Sequence, residues 1–173
     1  MAVHPREAWV ATGGIDGVVR IWNYRTRFLI GEFQGHAKWV RGLTFAMQGT
    51  RLISTGHDGT VRGWDLFDGN EKWCTKLVLG PATCLSHHIN RDYVFVSGNG
   101  GKVFAVSTET GKVVGETSVG ISWVRALSNW SRLAVAGNQQ SYETCRSRVP
   151  SKLVQDRRFP AHSGEIWSVC FHA

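Results

Sequence analysis

The sequence repeats itself every 42 residues, and this period limits the folds open to the chain more than any other feature. The matched positions are spaced by 42 residues or a multiple of 42: Asp16 with Asp58, Gly17 with Gly59, Trp22 with Trp64, Trp39 with Trp123, His36 with His162 and Phe45 with Phe171. A fixed period of this length is typical of proteins built from stacked supersecondary units, each of which buries its apolar face against its neighbours.

Within each unit the apolar residues form short runs separated by turn residues, and no stretch keeps the 3.6-residue period of a helix. The unit at 35–76 shows this most clearly, with predicted strands at 40–45, 51–54, 60–64 and 73–79. Gly56-His57-Asp58-Gly59 separates the second run from the third, and Asp-Gly is a strong hairpin signal because glycine accepts a positive φ. The pattern predicts an all-β fold of blades, each made of four antiparallel strands.

The period divides the chain into repeats at about 1–34, 35–76, 77–118 and 119–160, with the start of a fifth at 161–173. We therefore expect about four blades of a β-propeller. A ring of seven such blades needs about 294 residues, so one interpretation is that the chain is part of a longer ring. The alternative is closure at four blades, in which 166–171 supplies a strand missing from the first blade.

One group of residues carries a resemblance to a known family: Gly35-His36, Ser54, Asp58 and Trp64-Asp65. The chain resembles the WD-repeat (WD40) β-propeller family, whose repeats of about 40–45 residues carry a Gly-His and a Trp-Asp signature. The resemblance implies a hydrogen-bonded structural tetrad inside the blade. The tetrad positions are His36, Ser54, Asp58 and Trp64 in the second repeat, and Thr12, Asp16 and Trp22 in the first, with His162 completing the first if the ring closes at four blades.

A buried indole N–H needs an acceptor and a buried carboxylate needs donors, so these four residue types form a stable network. We interpret the Ser, His and Asp as structural and not as a catalytic set. His87-His88 lies near Cys84, but the spacing matches no zinc pattern. The sequence predicts no enzyme, no metal and no cofactor.

Composition excludes several further classes of protein. Hydrophobic residues make up 42% of the chain and charged residues 19%, which is unlike a disordered protein. No window approaches the roughly 18 consecutive apolar residues of a membrane span. Residues 1–20 show no basic-then-apolar leader, and the four cysteines have irregular spacings, so we expect an intracellular protein with reduced thiols.

The formal net charge is +7, and one basic patch stands out near the C-terminus. Its members are Arg146, Arg148, Lys152, Arg157 and Arg158. Such a patch could bind a phosphate backbone, as in RNA, or an acidic protein surface, or it could be a solvated loop.

A partner-binding rim is expected where the loops before each first strand meet the Asp turns. Its predicted members are Lys38, Trp39, Arg41, His57, Trp123 and Arg125. Exposed Trp and Arg are enriched at interface hot spots. The alternative is that Trp39 and Trp123 pack between neighbouring blades.

These features predict a non-catalytic scaffold for protein–protein assembly, with no membrane and no small-molecule substrate. A weaker resemblance to the nucleolar WD-repeat proteins of the small-subunit processome is carried by four short segments: His4-Pro5, Gly17–Asn23, Val40-Arg41-Gly42 and His87-His88. It implies a role in pre-ribosomal RNA processing within a ribonucleoprotein complex of the nucleus or nucleolus. The alternative is an adaptor or substrate receptor of a ubiquitin-ligase or signalling complex that works without RNA, in the cytoplasm or elsewhere in the cell.

Overall fold

The computed structural model describes residues 1–78, 80–87, 91–119, 121, 124–129, 132–137, 141–146 and 154–160. At 125–129, 132–133, 141–146 and 154–160 the description covers the backbone alone. The predicted fifth repeat at 161–173, with His162, lies outside the described residues.

Among the described residues, the strands form four sheets of four strands each. Blade 1 contains β1 (Ala2–Val3), β2 (Trp9–Gly13), β3 (Val18–Asn23) and β4 (Leu29–Gln34). Blade 2 contains β5 (Val40–Ala46), β6 (Arg51–Gly56), β7 (Thr60–Asp65) and β8 (Glu71–Lys76). Blade 3 contains β9 (Ala82–His87), β10 (Tyr93–Gly98), β11 (Lys102–Ser107) and β12 (Val113–Ser118). Blade 4 contains β13 (Val124–Asn129), β14 (Arg132–Gly137), β15 (Ser141–Arg146) and β16 (Val154–Pro160).

Each sheet is an antiparallel meander in which strands that follow one another in the chain are paired. The turn between the second and third strands has a glycine with positive φ at the same place in three blades. These are Gly17 (φ 78°), Gly59 (φ 76°) and Gly101 (φ 63°), each 42 residues from the next. A side chain at such a φ would be strained, which explains why the turn glycine recurs with the repeat.

The predicted all-β fold with four-stranded antiparallel blades is confirmed. In blade 2 the first three strands lie where the sequence predicts them. The outer strand differs, since it spans Glu71–Lys76 and not 73–79. The strand begins two residues earlier than predicted because the turn before it is short. Backbone hydrogen bonds from Asp65 to Asn70 and from Gly69 to Asp65 close this turn, so pairing resumes at Glu71.

Apolar side chains form the core between blades as well as within them. Phe33 of blade 1 packs with Leu52 and Trp64 of blade 2 in one cluster, where Phe33 and Trp64 rings lie 5.5 Å apart. A second cluster joins Ile53 of blade 2 to Phe104 of blade 3. A third cluster joins Phe95 of blade 3 to Val135 of blade 4, so consecutive blades lie side by side, as expected for a repeat protein. In the described part of the chain, no helix has the length and apolar character to cross a membrane.

Candidate functional site

A chain of polar side chains runs through the interior of blade 2. The Trp64 indole Nε1 donates to Ser54 Oγ over 2.8 Å, and Ser54 Oγ lies 2.7 Å from His36 Nε2. His36 Nδ1 in turn lies 3.2 Å from both carboxylate oxygens of Asp58. The structure thus brings together the four residues that the resemblance assigns to the second repeat.

The donors and acceptors of this chain fit one arrangement of protons. The carboxylate of Asp58 accepts the Nδ1–H of His36, so Nε2 is the acceptor of the imidazole. Ser54 donates its O–H to Nε2 and accepts the indole N–H of Trp64. Each group is satisfied while the imidazole stays neutral.

Asp58 is ionised because donors surround it. Burial opposes the charge, but the side chain and backbone N–H of Thr60 and the backbone N–H of Ala37 donate to the carboxylate, at 2.7, 2.9 and 2.8 Å. Together with His36 they lower the pKa of Asp58 to about 2. Burial lowers the pKa of His36, because it disfavours the charged imidazole. The attraction of Asp58 raises this pKa and offsets the effect of burial only in part. The site therefore holds a neutral imidazole against a carboxylate.

Blade 1 contains a shorter version of this network. Trp22 Nε1 donates to Thr12 Oγ1 over 3.0 Å. Asp16 does not join them, since its carboxylate binds Arg20 at 2.8 Å and accepts the backbone N–H of Val18. The Arg20 side chain lowers the pKa of Asp16. His162, the predicted fourth member, lies outside the described residues.

In blade 3 aliphatic packing takes the place of the polar chain. The residues 42 positions after Ser54 and Trp64 are Val96 and Val106, and both are fully buried. They belong to the cluster shared with blade 2. The repeat therefore keeps its backbone without the polar network.

The rim beside Asp58 presents an aromatic pair with unpaired cations. Trp39 is 49% exposed, and its ring lies 5.9 Å from that of His57 with an interplanar angle of 32°. The backbone N–H of His57 donates to the Trp39 carbonyl over 2.8 Å, which fixes the two loops together. Lys38 and Arg41 are exposed, and among the described residues neither has an ion-pair partner. In this half of the predicted rim, Trp39 faces solvent.

The rest of the predicted rim and the basic patch are described only in part. Trp123, Arg148 and Lys152 lie outside the described residues. Arg125 lies on β13, Arg146 on β15, and Arg157 and Arg158 on β16, where the description covers the backbone. The described members of the basic patch therefore lie on two paired strands of blade 4, in which Arg157 is opposite Thr144 and Arg158 opposite Glu143.

Within the described residues, no group of three or more His, Cys, Asp and Glu side chains is arranged to hold a metal ion. Cys74 is an exposed free thiol, and partial burial raises its pKa. Cys84 is buried, with its Sγ 3.2 Å from the Val124 carbonyl oxygen. The neighbouring His87 Nε2 lies 3.0 Å from the Arg91 carbonyl oxygen.

Sequence reasoning missed the structural role of His4, which joins blade 1 to blade 2. His4 Nδ1 accepts the backbone N–H of Glu7 over 2.8 Å, and Nε2 lies 3.0 Å from the Gly49 carbonyl oxygen. Gly49 has a φ of 100°, and a Cβ there would overlap with the imidazole. The ring also packs edge-on against Phe45 at 4.9 Å. The sequence signal for this contact was limited to the presence of His4 and of Gly49, 45 residues later.

The family model of the WD domain, G-beta repeat, matches residues 1–23 and 27–65. Together with the four-stranded blades and the tetrad, this match supports a WD-repeat β-propeller fold. A chain in a crystal structure of the mitotic checkpoint complex superposes with a TM-score of 0.84 over 94% of this chain and 52% of that chain. The two are 20% identical, so this likeness shows the fold.

Two curated proteins are similar to parts of this chain. The DDB1- and CUL4-associated factor 13 of Gallus gallus is 36% identical over 103 residues, which cover 56% of this chain and 23% of the relative. The nuclear distribution protein nudF of Aspergillus niger is 46% identical over 61 residues, which cover 35% of this chain and 14% of the relative. The matched segments thus span less than a quarter of either relative.

Proposed function

We propose that this chain is a non-catalytic scaffold that binds other proteins through the rim formed by Lys38, Trp39, Arg41 and His57. The observation that carries the proposal is the half-exposed Trp39, whose ring lies 5.9 Å from that of His57. Its neighbours in sequence, Lys38 and Arg41, are exposed cations without an ion-pair partner among the described residues. An exposed indole costs free energy in water and offers a large contact area to a partner. The polar chain behind the rim holds it rigidly, since Asp58 binds the backbone of Ala37.

The test compares partner binding with stability. Trp39→Ala should abolish recovery of the partners that the wild-type protein captures, and it should leave the melting temperature nearly unchanged because the indole is half-exposed. Phe28→Ala is the matched control, because Phe28 is 74% exposed and follows β3 at the opposite end of blade 1. Full recovery of partners by Trp39→Ala would contradict a role for the rim.

We further propose that the partners include a ribonucleoprotein complex that processes pre-ribosomal RNA for the small subunit, in the nucleus or nucleolus. The formal charge of +7 and the uncompensated cations of the rim support contact with an anionic complex. The proposed RNA contact is the basic patch, which has Arg146 on β15 and Arg157 and Arg158 on β16, and which includes Arg148 and Lys152 in the sequence.

One observation favours a second candidate, an adaptor or substrate receptor of a ubiquitin-ligase complex. The relative that is 36% identical over 103 residues is named for its association with DDB1 and CUL4. This candidate uses the same rim and needs no RNA.

Affinity purification with and without ribonuclease separates the two candidates. If the chain works in a ribonucleoprotein complex, nuclease treatment should release its partners, and small-subunit assembly factors should be among them. If it is an adaptor, ligase subunits should remain bound after nuclease treatment. Charge reversal of Arg157 and Arg158 should weaken only the nuclease-sensitive set.

A further inference from the structure

The junction between blades 2 and 3 is closed by one tryptophan. Trp73 lies on the outer strand β8, opposite Gly63 of β7. Its indole covers Gly63 and Gly111, where an added Cβ would overlap with the ring. Its Nε1 donates to the Thr108 carbonyl oxygen of blade 3 over 3.3 Å. A tryptophan from one blade thus fills the space above the turn of the next blade.

The junction between blades 1 and 2 has the same backbone and lacks this tryptophan. Counting back 42 residues, Trp73 corresponds to Gly31 and Gly111 to Gly69. The turn that contains Gly69 has the same hydrogen bonds as the turn that contains Gly111, and their φ angles are 74° and 71°. A Cβ added at Gly31 or Gly69 would meet nothing within 4 Å. The place of the indole is therefore open here.

An apolar groove of about 280 Å³ occupies this place. Trp9, Ile21, Gly31, Leu66, Phe67 and Gly69 line it. Ile21 is paired with Gly31, just as Gly63 is paired with Trp73 in blade 2. The Ile21 side chain occupies part of the space that corresponds to the Trp73 indole. Phe67 is fully exposed beside the groove and Ile30 is 44% exposed. These side chains present apolar surface to water that an inserted ring would cover.

The charged side chains that line the groove are both carboxylates, Glu32 and Asp68. Arg20 binds Oε1 of Glu32 at 2.6 Å, so Oε2 remains as an acceptor. Lys72 binds Oδ2 of Asp68, and this contact lowers the pKa of Asp68 and keeps it ionised. Both carboxylates are thus already ion-paired, and Asp68 Oδ1 also accepts the backbone N–H of Asn70, so Oε2 of Glu32 is the acceptor within reach of a cation next to an inserted aromatic ring.

We propose that this groove is a second docking site, separate from the rim, for a partner segment that carries an aromatic residue flanked by Lys or Arg. The partner's ring inserts over Gly31 and Gly69, as Trp73 covers Gly63 and Gly111 at the next junction. The flanking cation binds Glu32. If the partner's ring is an indole, its N–H donates to the backbone carbonyl of Leu66. This carbonyl lies 42 residues before that of Thr108, which accepts the Trp73 indole N–H.

The probe is an acetylated and amidated tripeptide, Arg-Trp-Arg, with 5-fluorotryptophan at its centre. Addition of the wild-type protein should shift or broaden the ¹⁹F resonance in a saturable way. Peptides with Glu in place of both Arg residues should bind at least tenfold more weakly, as should Arg-Ala-Arg in competition. Absence of saturable binding, or equal binding of the Glu-flanked peptide, would overturn the proposal.

Gly31→Phe fills the groove from within and should weaken peptide binding at least tenfold. The substitution should not lower the melting temperature, because open space surrounds the Cβ position. Val113→Phe is the matched control, since Val113 is 43% exposed on the outer strand of blade 3 and should leave binding unchanged. Peptide binding by a folded Gly31→Phe at wild-type strength would rule out the groove.

Glu32→Gln supplies a second variant that keeps the shape of the groove. It should weaken binding of Arg-Trp-Arg severalfold and leave binding of Ala-Trp-Ala unchanged.

Sedimentation tests the remaining occupant, a second copy of the chain. A wild-type dimer that Gly31→Phe converts to a monomer would overturn the assignment to a partner segment.

Discussion

At the scale of single residues, Ser54 is the link on which the polar chain of blade 2 depends. It is fully buried, and its hydroxyl is the only described partner of the Trp64 indole N–H. The same hydroxyl also donates to His36. Because a buried polar group without a partner loses its solvation without compensation, the removal of one oxygen leaves two groups unsatisfied.

Ser54→Ala should therefore lower the free energy of unfolding by about 1–3 kcal/mol. Urea denaturation followed by intrinsic tryptophan fluorescence measures the change. Thr12→Ala is the matched control, since it removes the equivalent partner of the half-buried Trp22 and should cost less. Equal losses in the two variants would mean that the link to His36 adds nothing.

The two titrating members of the chain predict a two-step loss of stability in acid. His36 has a pKa below its usual 6.5, so the unfolded chain takes up a proton that the folded imidazole resists. Stability should therefore begin to fall as the pH drops below about 6.5. The pKa of Asp58 falls from 3.8 to about 2 on folding, so its contribution is complete above 3.8 and is lost between 3.8 and 2.

Melting temperatures between pH 8 and pH 3 check this prediction. His36→Gln should flatten the first step, between pH 7 and pH 5, whereas His57→Gln should not, because His57 lies exposed on the rim. Arg62 and Glu71 also face His36 and act on its charge with opposite signs. A first step of the same size in His36→Gln would assign it to another group.

At the scale of elements, the strands and turns of blade 2 follow from the sequence because they depend on local signals. Alternating apolar residues and the glycine at 59 place β6 and β7 correctly. The contacts between blades do not follow from the sequence in this way. Trp73 contacts Gly111, 38 residues away, and no local pattern shows that the two meet. Blade 1 has Ile21 and Gly31 where blade 2 has Gly63 and Trp73. Only the packing of neighbouring blades shows that this exchange fills one junction and leaves a groove at the other.

A pair of glycines isolates the contribution of the Trp73 contact. Gly111→Ala and Gly69→Ala place a methyl group at nearly the same φ, so both should lose about 1 kcal/mol to backbone strain. Only at Gly111 does the new Cβ overlap with the Trp73 indole. Gly111→Ala should therefore be less stable than Gly69→Ala by a further 1–3 kcal/mol or so in urea denaturation. Similar stability of the two variants would show that the indole moves aside freely.

At the scale of the whole molecule, the repeat predicts the architecture, whereas the placement of charge needs the structure. The sequence shows a net charge of +7. It does not show that, among the described residues, Arg20, Arg62 and Lys102 are bound to carboxylates while Lys38 and Arg41 are not. The positive charges of the rim are therefore not neutralised by neighbouring carboxylates, whereas several positive charges elsewhere on the described surface are. That field should steer an acidic partner toward the rim.

The association rate with a partner captured through the rim should fall as salt rises from low to physiological concentration, because the Debye length shortens to about 8 Å. Reversal of Lys38 and Arg41 to Glu should reduce both the rate at low salt and its salt dependence. Arg25→Glu, an exposed site in the turn after β3, is the control for net charge alone. Stopped-flow or surface-based kinetics measure the rates, and an identical effect of Arg25→Glu would assign steering to the total charge.

The exchange of a tryptophan for a glycine between adjacent junctions also bears on how similar blades keep their order. Repeats with one backbone could in principle dock in the wrong succession, within a chain or between chains. A blade 1 docked directly on blade 3 would set Gly31 against Gly111, two residues without side chains, and leave an unfilled seam. Blade 2 meets blade 3 with Trp73 against that same glycine. The order of neighbours is thus specified by complementary shapes at each seam, in addition to the loops that connect them.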